Sequence, residues 1–456
     1  MATPSAARGA WTSRTGFIFA AAGSAIGLGN IWRFPYTAGE SGGGAFVLIY
    51  LLCVVLIGIP VLFAELAIGR STEKNPVGAF KKIVPGSMWP VLGGLGIATG
   101  FGILAFYSVI AGWTLSYLFK AVTGGFGQAM TADESAALFT QLTGDPVWAI
   151  ILAGVFILLT IFVVQGGVSG GIERTTKILM PVLLVILVIL AIRSVTLPNG
   201  MAGVEYLFKP DFSKVNIQVF MQALGQALFS LSLGMGAMIT YGSYLPKSEN
   251  MPVAGVSVAF FDTIIALLAG LIIFPAIFSV GGETSGGPGL VFVVLPSIFN
   301  SLPAGNLFAV AFYFLLAIAA LTSTISLLEV CVSYFVDEKE WSRQKAAWLL
   351  GGICFAIAIP SALSQGGSEF FTSFVGGLDF LSIQNIIWGN FSLSIGALLL
   401  CIFVAWKWGV PKAIESLEES GDSLPAKGLW SFLIRFVCPV AVGVILIFII
   451  VTQQYF

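Results

Sequence analysis

The chain has 456 residues, of which 57% are hydrophobic and only 9% charged, and its mean hydropathy is +0.98. Soluble domains carry about a quarter of charged residues, so this composition excludes a soluble globular fold and points to a membrane. The 21 basic and 22 acidic residues nearly cancel to a formal charge of -1, which offers no field for nucleic acid, and the absence of histidine removes Ser-His-Asp, Cys-His and His-metal chemistry.

A transmembrane helix needs about 20 mostly apolar residues. With that window and the turn residues between runs, the sequence predicts eleven segments: 15-37, 43-69, 90-120, 147-165, 172-195, 217-244, 252-280, 305-336, 345-363, 378-406 and 430-452. Stretches 121-146, 196-216 and 281-304, rich in Gly, Pro and polar residues, are read as loops. The five cysteines stand in apolar runs at no metal-ligand spacing and are expected to be buried packing residues. Arg8 and Arg14 before an apolar run and Ala20-Ala21-Ala22 superficially resemble a secretory signal, but the run is too short and Asn30 to Pro35 reads as part of a working segment.

If the N-terminus is cytoplasmic, 16 of the 21 basic residues fall on the cytoplasmic side and four outside, which satisfies the positive-inside rule and leaves the C-terminus outside. The chain is then an all-α membrane protein, a single domain over 1-456. Segments 1 to 5 (15-195) and 6 to 10 (217-406) form two inverted halves, a 5+5 repeat, with 430-452 as the eleventh span.

The first segment of each half is interrupted by the same device, Gly27-Leu28-Gly29 before Asn30 and Gly234-Met235-Gly236 after Ser230-Leu231-Ser232. Glycine weakens a helix by about 1 kcal/mol relative to alanine, and backbone freed inside a bilayer needs another partner. Paired breaks in the two halves are the best sequence pointer to a transporter's binding site, where half-helix ends can accept both charges of a zwitterion. Close helix packing by small residues is the competing explanation.

The run Gly23-Ser24-Ala25-Ile26-Gly27-Leu28-Gly29-Asn30-Ile31-Trp32-Arg33-Phe34-Pro35-Tyr36 closely resembles the first-span signature of the neurotransmitter:sodium symporter family. Gly42-Gly43-Gly44-Ala45-Phe46, Glu65 near Gly69-Arg70, Gly225-Gln226 leading into the second break, and Leu321-Thr322-Ser323 extend the resemblance from about residue 8 to 440. Eukaryotic members typically have a twelfth span, so eleven spans with short outer loops resemble the prokaryotic branch.

The resemblance implies sodium-coupled import of a small amino acid by alternating access. Ala25, Gly27, Leu28 and Gly29 with Tyr107 would bind its carboxylate, and carbonyls of Phe229, Ser230 and Ser232 its ammonium; Ile103, Phe229, Met235, Ser323, Ser326 and Leu327 would line the side-chain pocket. One sodium ion would meet the Ala25 carbonyl, Asn30, Ser230, Asp262 and the substrate carboxylate. A second would meet carbonyls of Gly23, Ile26 and Ala319 with the hydroxyls of Thr322 and Ser323, whose other common use is bonding back to a helix carbonyl. Chloride-dependent relatives have asparagine where this chain has Asp262 and serine where it has Ala266, so no chloride requirement is expected.

The same resemblance makes Arg33 and Asp379 an outer gate pair, and Arg8 and Asp337, with Trp11 and Tyr244 packed around them, an inner one. Gly171 and Pro181 bracket nine residues that form a hinge, and Glu65 braces the sixth segment. An oily wall of Ile103, Phe229 and Leu327 with the adaptable Met235 favours hydrophobic or aromatic L-amino acids. Another small amino acid or an amine remains the alternative substrate, and a channel or a sensor on the same fold the alternative function. Gly167-Val168-Ser169-Gly170 matches a rhomboid nucleophile motif, but that chemistry needs a histidine base. No enzyme activity and no nucleic acid partner are expected. The protein should work among inner-membrane lipids as a monomer or weak homodimer.

Overall fold

A computed structural model describes residues 9–126, 130–282, 284, 289–302 and 304–455. Among the described residues the regular structure is helical throughout, with no strand beyond isolated bridges. In chain order the main helices are α1 (Arg14–Ala25), α2 (Gly29–Glu40), α3 (Gly44–Thr72), α4 (Pro76–Ile83), α5 (Pro90–Val122), α6 (Ala132–Gly144), α7 (Pro146–Gln165), α8 (Val168–Val195) and α9 (Gly200–Phe208). They continue as α10 (Ile217–Ser230), α11 (Ala237–Gly242), α12 (Met251–Ser279), α13 (Leu290–Phe299), α14 (Gly305–Lys339), α15 (Arg343–Leu363), α16 (Phe380–Leu417) and α17 (Lys427–Thr452).

Nine of these helices are long and apolar enough to cross a membrane, and the α1–α2 pair, bent by 52°, makes up to ten among the described residues. Each coincides with an expected segment. The sixth expected segment, 217-244, is occupied by α10 and α11, separated by irregular backbone and too short for the length criterion. Expected loops 121-146, 196-216 and 281-304 carry helices of their own, α6, α9 and α13. α6 opens with a capping box in which Thr131 and Glu134 each bond the other's backbone N–H.

α5 and α14 pack along each other and form the centre, with α1, α7, α8 and α15 around them. Apolar side chains that remain exposed, among them Ile178, Val185, Ile189, Phe436, Val440 and Ile447, lie on the peripheral helices α8 and α17, as lipid-facing surfaces require. All five cysteines are free and buried, in line with a packing role.

The two breaks are built differently. α10 ends at Ser230, and the chain then passes through three left-handed residues, Ser232 (φ 54°), Gly234 (φ 79°) and Gly236 (φ 74°), before α11 begins. Glycine takes that conformation without a Cβ penalty. At the first break Ile26 is extended (φ -77°, ψ 107°), and neither Gly27 nor Gly29 is left-handed. There glycine is required by proximity: a Cβ on Gly27 would run into the Ser323 and Tyr107 hydroxyls, and one on Gly29 would meet the Phe229 ring at 3.1 Å.

Gly234→Ala should therefore lower stability by about 1–3 kcal/mol, since the methyl adds a left-handed penalty and meets the Leu393 carbonyl. Gly94→Ala, in α5 with open space around it, should instead match or exceed wild-type stability. Melting temperatures from fluorescence-detected size-exclusion chromatography test the contrast, and equal shifts in both variants would refute it.

Candidate functional site

Between the two breaks, α5 and α14 lies a cavity of about 30 Å³. It is lined by Ser24, Ala25, Gly27, Gly29, Ile103, Tyr107, Phe229, Ser230, Ser232, Met235, Ser323, Ser326 and Leu327. Twelve of these are residues the sequence assigned to a substrate site. Ser24 was not among them. Leu28 was, but it does not line the cavity; its N–H donates to the Tyr107 hydroxyl at 2.9 Å and the residue borders a second, outer cavity.

Backbone freed at the breaks is answered by side chains. The Gly27 N–H donates to Asn30 Oδ1 at 3.1 Å, and Gln226 Nε2 donates to the Gly29 carbonyl at 2.7 Å. Ser232 Oγ donates to the Ser24 carbonyl at 2.9 Å, joining the two breaks directly. Glu65, on α3, accepts the Gly234 N–H at 2.6 Å, which is the brace the sequence suggested.

Beside the cavity, Asp262 on α12 is wholly buried with Asn30 and Ser230. Asn30 Nδ2 donates to Asp262 Oδ1 at 2.6 Å, and Ser230 Oγ donates to Oδ2 at 3.0 Å. The Tyr50 hydroxyl, on α3, also donates to Oδ2 at 3.2 Å. Tyr50 escaped the sequence reading, although a lone tyrosine in the apolar run Val47 to Cys53 carries a hydroxyl that a bilayer cannot satisfy. Ala25 lines the cavity five residues before Asn30.

A second oxygen cluster forms where α1 ends against α14. Thr322 Oγ1 donates to the Ala319 carbonyl at 3.0 Å and reaches the Ile26 carbonyl at 3.4 Å, while Ser323 Oγ lies 3.4 Å from the carbonyls of Ser24 and Ile26. Gly23 packs against Thr322, where an added Cβ would come within 3.3 Å of the threonine. The hydroxyls thus serve their own helix and face the broken one as well.

Outward of Phe229 and Tyr107 lies a cavity of about 330 Å³ lined by Trp32, Tyr36, Phe106, Trp113 and Phe139, with both Arg33 and Asp379 on its wall. The Arg33 guanidinium stands 4.9 Å from the Phe229 ring centroid. The Asp379 carboxylate, read as one half of a gate that can close and part, here caps the start of α16, accepting from Ser382 N–H at 3.0 Å and from Ser364 and Gln365.

At the other end Trp11 is buried, its indole N–H bonded to the Tyr241 carbonyl at 3.0 Å and its ring edge-on to Tyr241 and Tyr244. Arg8 lies outside the described residues, and Asp337 accepts from Asn75 N–H at 2.9 Å. The Tyr244 hydroxyl donates to Glu329, which also receives Arg343. The Gly171–Pro181 bracket is helical here, with Gly171 tight against Gly166 and Pro181 inside α8.

A small cavity between two unwound membrane helices, flanked by oxygen clusters, is the arrangement of a solute transporter. The chain belongs to the Sodium:neurotransmitter symporter family, whose sequence profile it matches over residues 8–134 and 138–455, and it is a sodium-dependent symporter. A sodium-dependent transporter of Bacillus subtilis is 40% identical over 436 residues, covering 95% of this chain and 96% of that protein. A Haemophilus influenzae sodium-dependent transporter is 38% identical, covering 98% and 99% respectively. The rat sodium- and chloride-dependent GABA transporter 2 is 26% identical over 94% of this chain and 78% of its own. The crystal structure of MhsT in complex with L-phenylalanine superposes with a TM-score of 0.88 at 45% identity, covering 96% of this chain and 99% of that one.

Glu65→Leu should leave the Gly234 N–H buried without an acceptor and cost about 1–3 kcal/mol, whereas Glu65→Gln retains a carbonyl oxygen and should stay near wild type. Thermal unfolding of the purified protein separates them, and equal loss in both variants would speak against the brace.

Proposed function

We propose that the protein is a symporter that carries hydrophobic or aromatic L-amino acids with two sodium ions, without chloride, by alternating access. α10 and α11 then count as one broken span, giving eleven spans in a 5+5 inverted repeat. The N-terminus is cytoplasmic and the C-terminus external, in the cell membrane.

The observation that carries this reading is the Asp262 cluster. A carboxylate inside a bilayer is costly, with insertion scales giving about 2.5–3.5 kcal/mol for Asp at a helix centre, so it is retained for a task. Here it holds Asn30 and Ser230, one residue from each break, beside a cavity edged by the start of α2 and the end of α10. A cation placed among these oxygens would sit next to the carboxylate of a bound amino acid, so each favours the other's binding. The fixed negative charge of Asp262 does what a bound chloride would do. The Thr322–Ser323 cluster supplies the second ion with neutral oxygens only, which suits sodium. Ile103, Phe229, Met235 and Leu327 on the cavity wall favour an apolar substrate side chain, and MhsT, the 45% identical relative, was crystallised with L-phenylalanine.

In proteoliposomes, a sodium gradient should drive uptake of labelled phenylalanine, tryptophan or leucine, and unlabelled substrate trapped inside should accelerate labelled entry. Absence of such counterflow in a protein that still passes sodium would indicate a channel. Replacing chloride with gluconate should leave the rate unchanged. Asp262→Asn with Ala266→Ser should make uptake depend on chloride; an equally chloride-independent double variant, or a chloride-dependent wild type, would overturn the assignment.

A further inference from the structure

Glu173 lies within the Gly171–Pro181 bracket of α8, and its side chain is 1% exposed. Its carboxylate is engaged mainly outside its own helix. Oε2 accepts the Thr12 N–H at 2.8 Å, and Oε1 accepts the hydroxyls of Thr12 at 2.6 Å and Ser13 at 3.1 Å. Lys177, one turn along, supplies the countercharge at 2.7 Å. A buried carboxylate is tolerated when paired and fully hydrogen-bonded, and these four donors meet that condition.

The seat for this group is cut into α1. Ser13 caps α1, accepting the Gly16 N–H at 3.1 Å, and the side chain missing from Gly16 leaves the space that the carboxylate fills. A Cβ at Gly16 would overlap the Glu173 carboxylate. Glycine is a poor helix former, and α1 carries it in its first turn where another residue would favour the helix. One residue before Thr12, the Trp11 N–H donates to the Tyr244 carbonyl at 3.2 Å. Residues 11 to 13 therefore grip the second broken span on one side and α8 on the other.

We propose that Glu173 is a positioning residue that joins the start of α1 to the Gly171–Pro181 segment, so that the two loosen together when the Trp11 end opens. Withdrawing α1 takes the donors away from a buried charge, which then has to follow them. Unwinding α8 at Gly171 takes away the acceptor that fixes Thr12 and Ser13. Neither movement is complete alone. The role in transport rests on the alternating-access reading above; the mechanical link does not.

The test uses the full chain in lipid nanodiscs and follows amide hydrogen exchange over residues 9–16 and 168–181. Glu173→Ala should raise exchange in both segments by about tenfold. Gly16→Ala should do the same, because the methyl displaces the carboxylate, and the double variant should be no worse than Glu173→Ala alone. Glu173→Gln, which keeps an oxygen for the Thr12 N–H, should fall between. In proteoliposomes, net sodium-driven uptake by Glu173→Ala should slow several-fold and be largely restored by Glu173→Gln. Exchange raised in 9–16 only, unchanged in both segments, or strictly additive in the double variant would overturn the link. Should Glu173→Ala fail to purify, Glu173→Gln and Gly16→Ala decide the matter by the same exchange readout. A wild type that takes up no amino acid would count against the proposed function, while the exchange pattern would still judge the link.

Discussion

Every feature of the centre follows from one constraint: a bilayer offers no water to backbone groups, so a helix broken at membrane depth must have its freed N–H and C=O groups answered by the protein. The answers here are individual side chains. Asn30, Tyr107 and Gln226 serve the first break, Glu65 the second, and Ser232 crosses between them. Oxygens that remain gather at the cavity and at the α1–α14 contact, where the hydroxyls of Thr322 and Ser323 lie 3.4 Å from the Ile26 carbonyl. Under the proposed function, satisfying a break and building an ion site are one construction.

The two ends of the molecule are closed by different means. At the Trp11 end, an aromatic wedge is fixed by backbone bonds to α11 and the following turn, and Tyr244, Glu329 and Arg343 form a buried chain behind it. At the Arg33 end, Phe229 and Tyr107 separate the small cavity from the larger one beyond, and Arg33 and Asp379 both face that larger space without meeting.

Much of this was legible in the sequence, for reasons that differ by element. Long apolar runs locate the membrane helices because hydrophobic length is itself the physical requirement. The cavity residues were found through a long local signature whose glycines and serines have few other uses at that density. What escaped lay where partners come from distant segments. Tyr50 and Glu173 bond to residues 212 and 161 positions away, and no spacing rule connects them. Glu65 was legible because a charge in an apolar run draws attention; Ser24 stood in the signature run between Gly23 and Ala25 and was given no role of its own. The helix α6 was missed despite its Thr131-x-x-Glu134 capping signal, because Gly- and Pro-rich flanks suggested a loop. Arg33 and Asp379 were legible as a gate pair, but the sequence did not show that Asp379 also suits the N-cap of α16, where the cap holds it in this conformation.

The unlike origins of the two glycine pairs bear on how the family can vary. Gly27 and Gly29 are demanded by neighbours, Ser323 and Tyr107 for one and the Phe229 ring for the other, so a larger residue there becomes tolerable once the neighbour shrinks. Gly234 and Gly236 are demanded by their own left-handed backbone, which no change elsewhere relieves. In a genetic selection, suppressors of lesions in the first pair should map to partner positions on other helices. Lesions in the second should revert only at the site itself, or through asparagine, and so evolve as isolated columns, while the first pair drifts in concert with its surroundings.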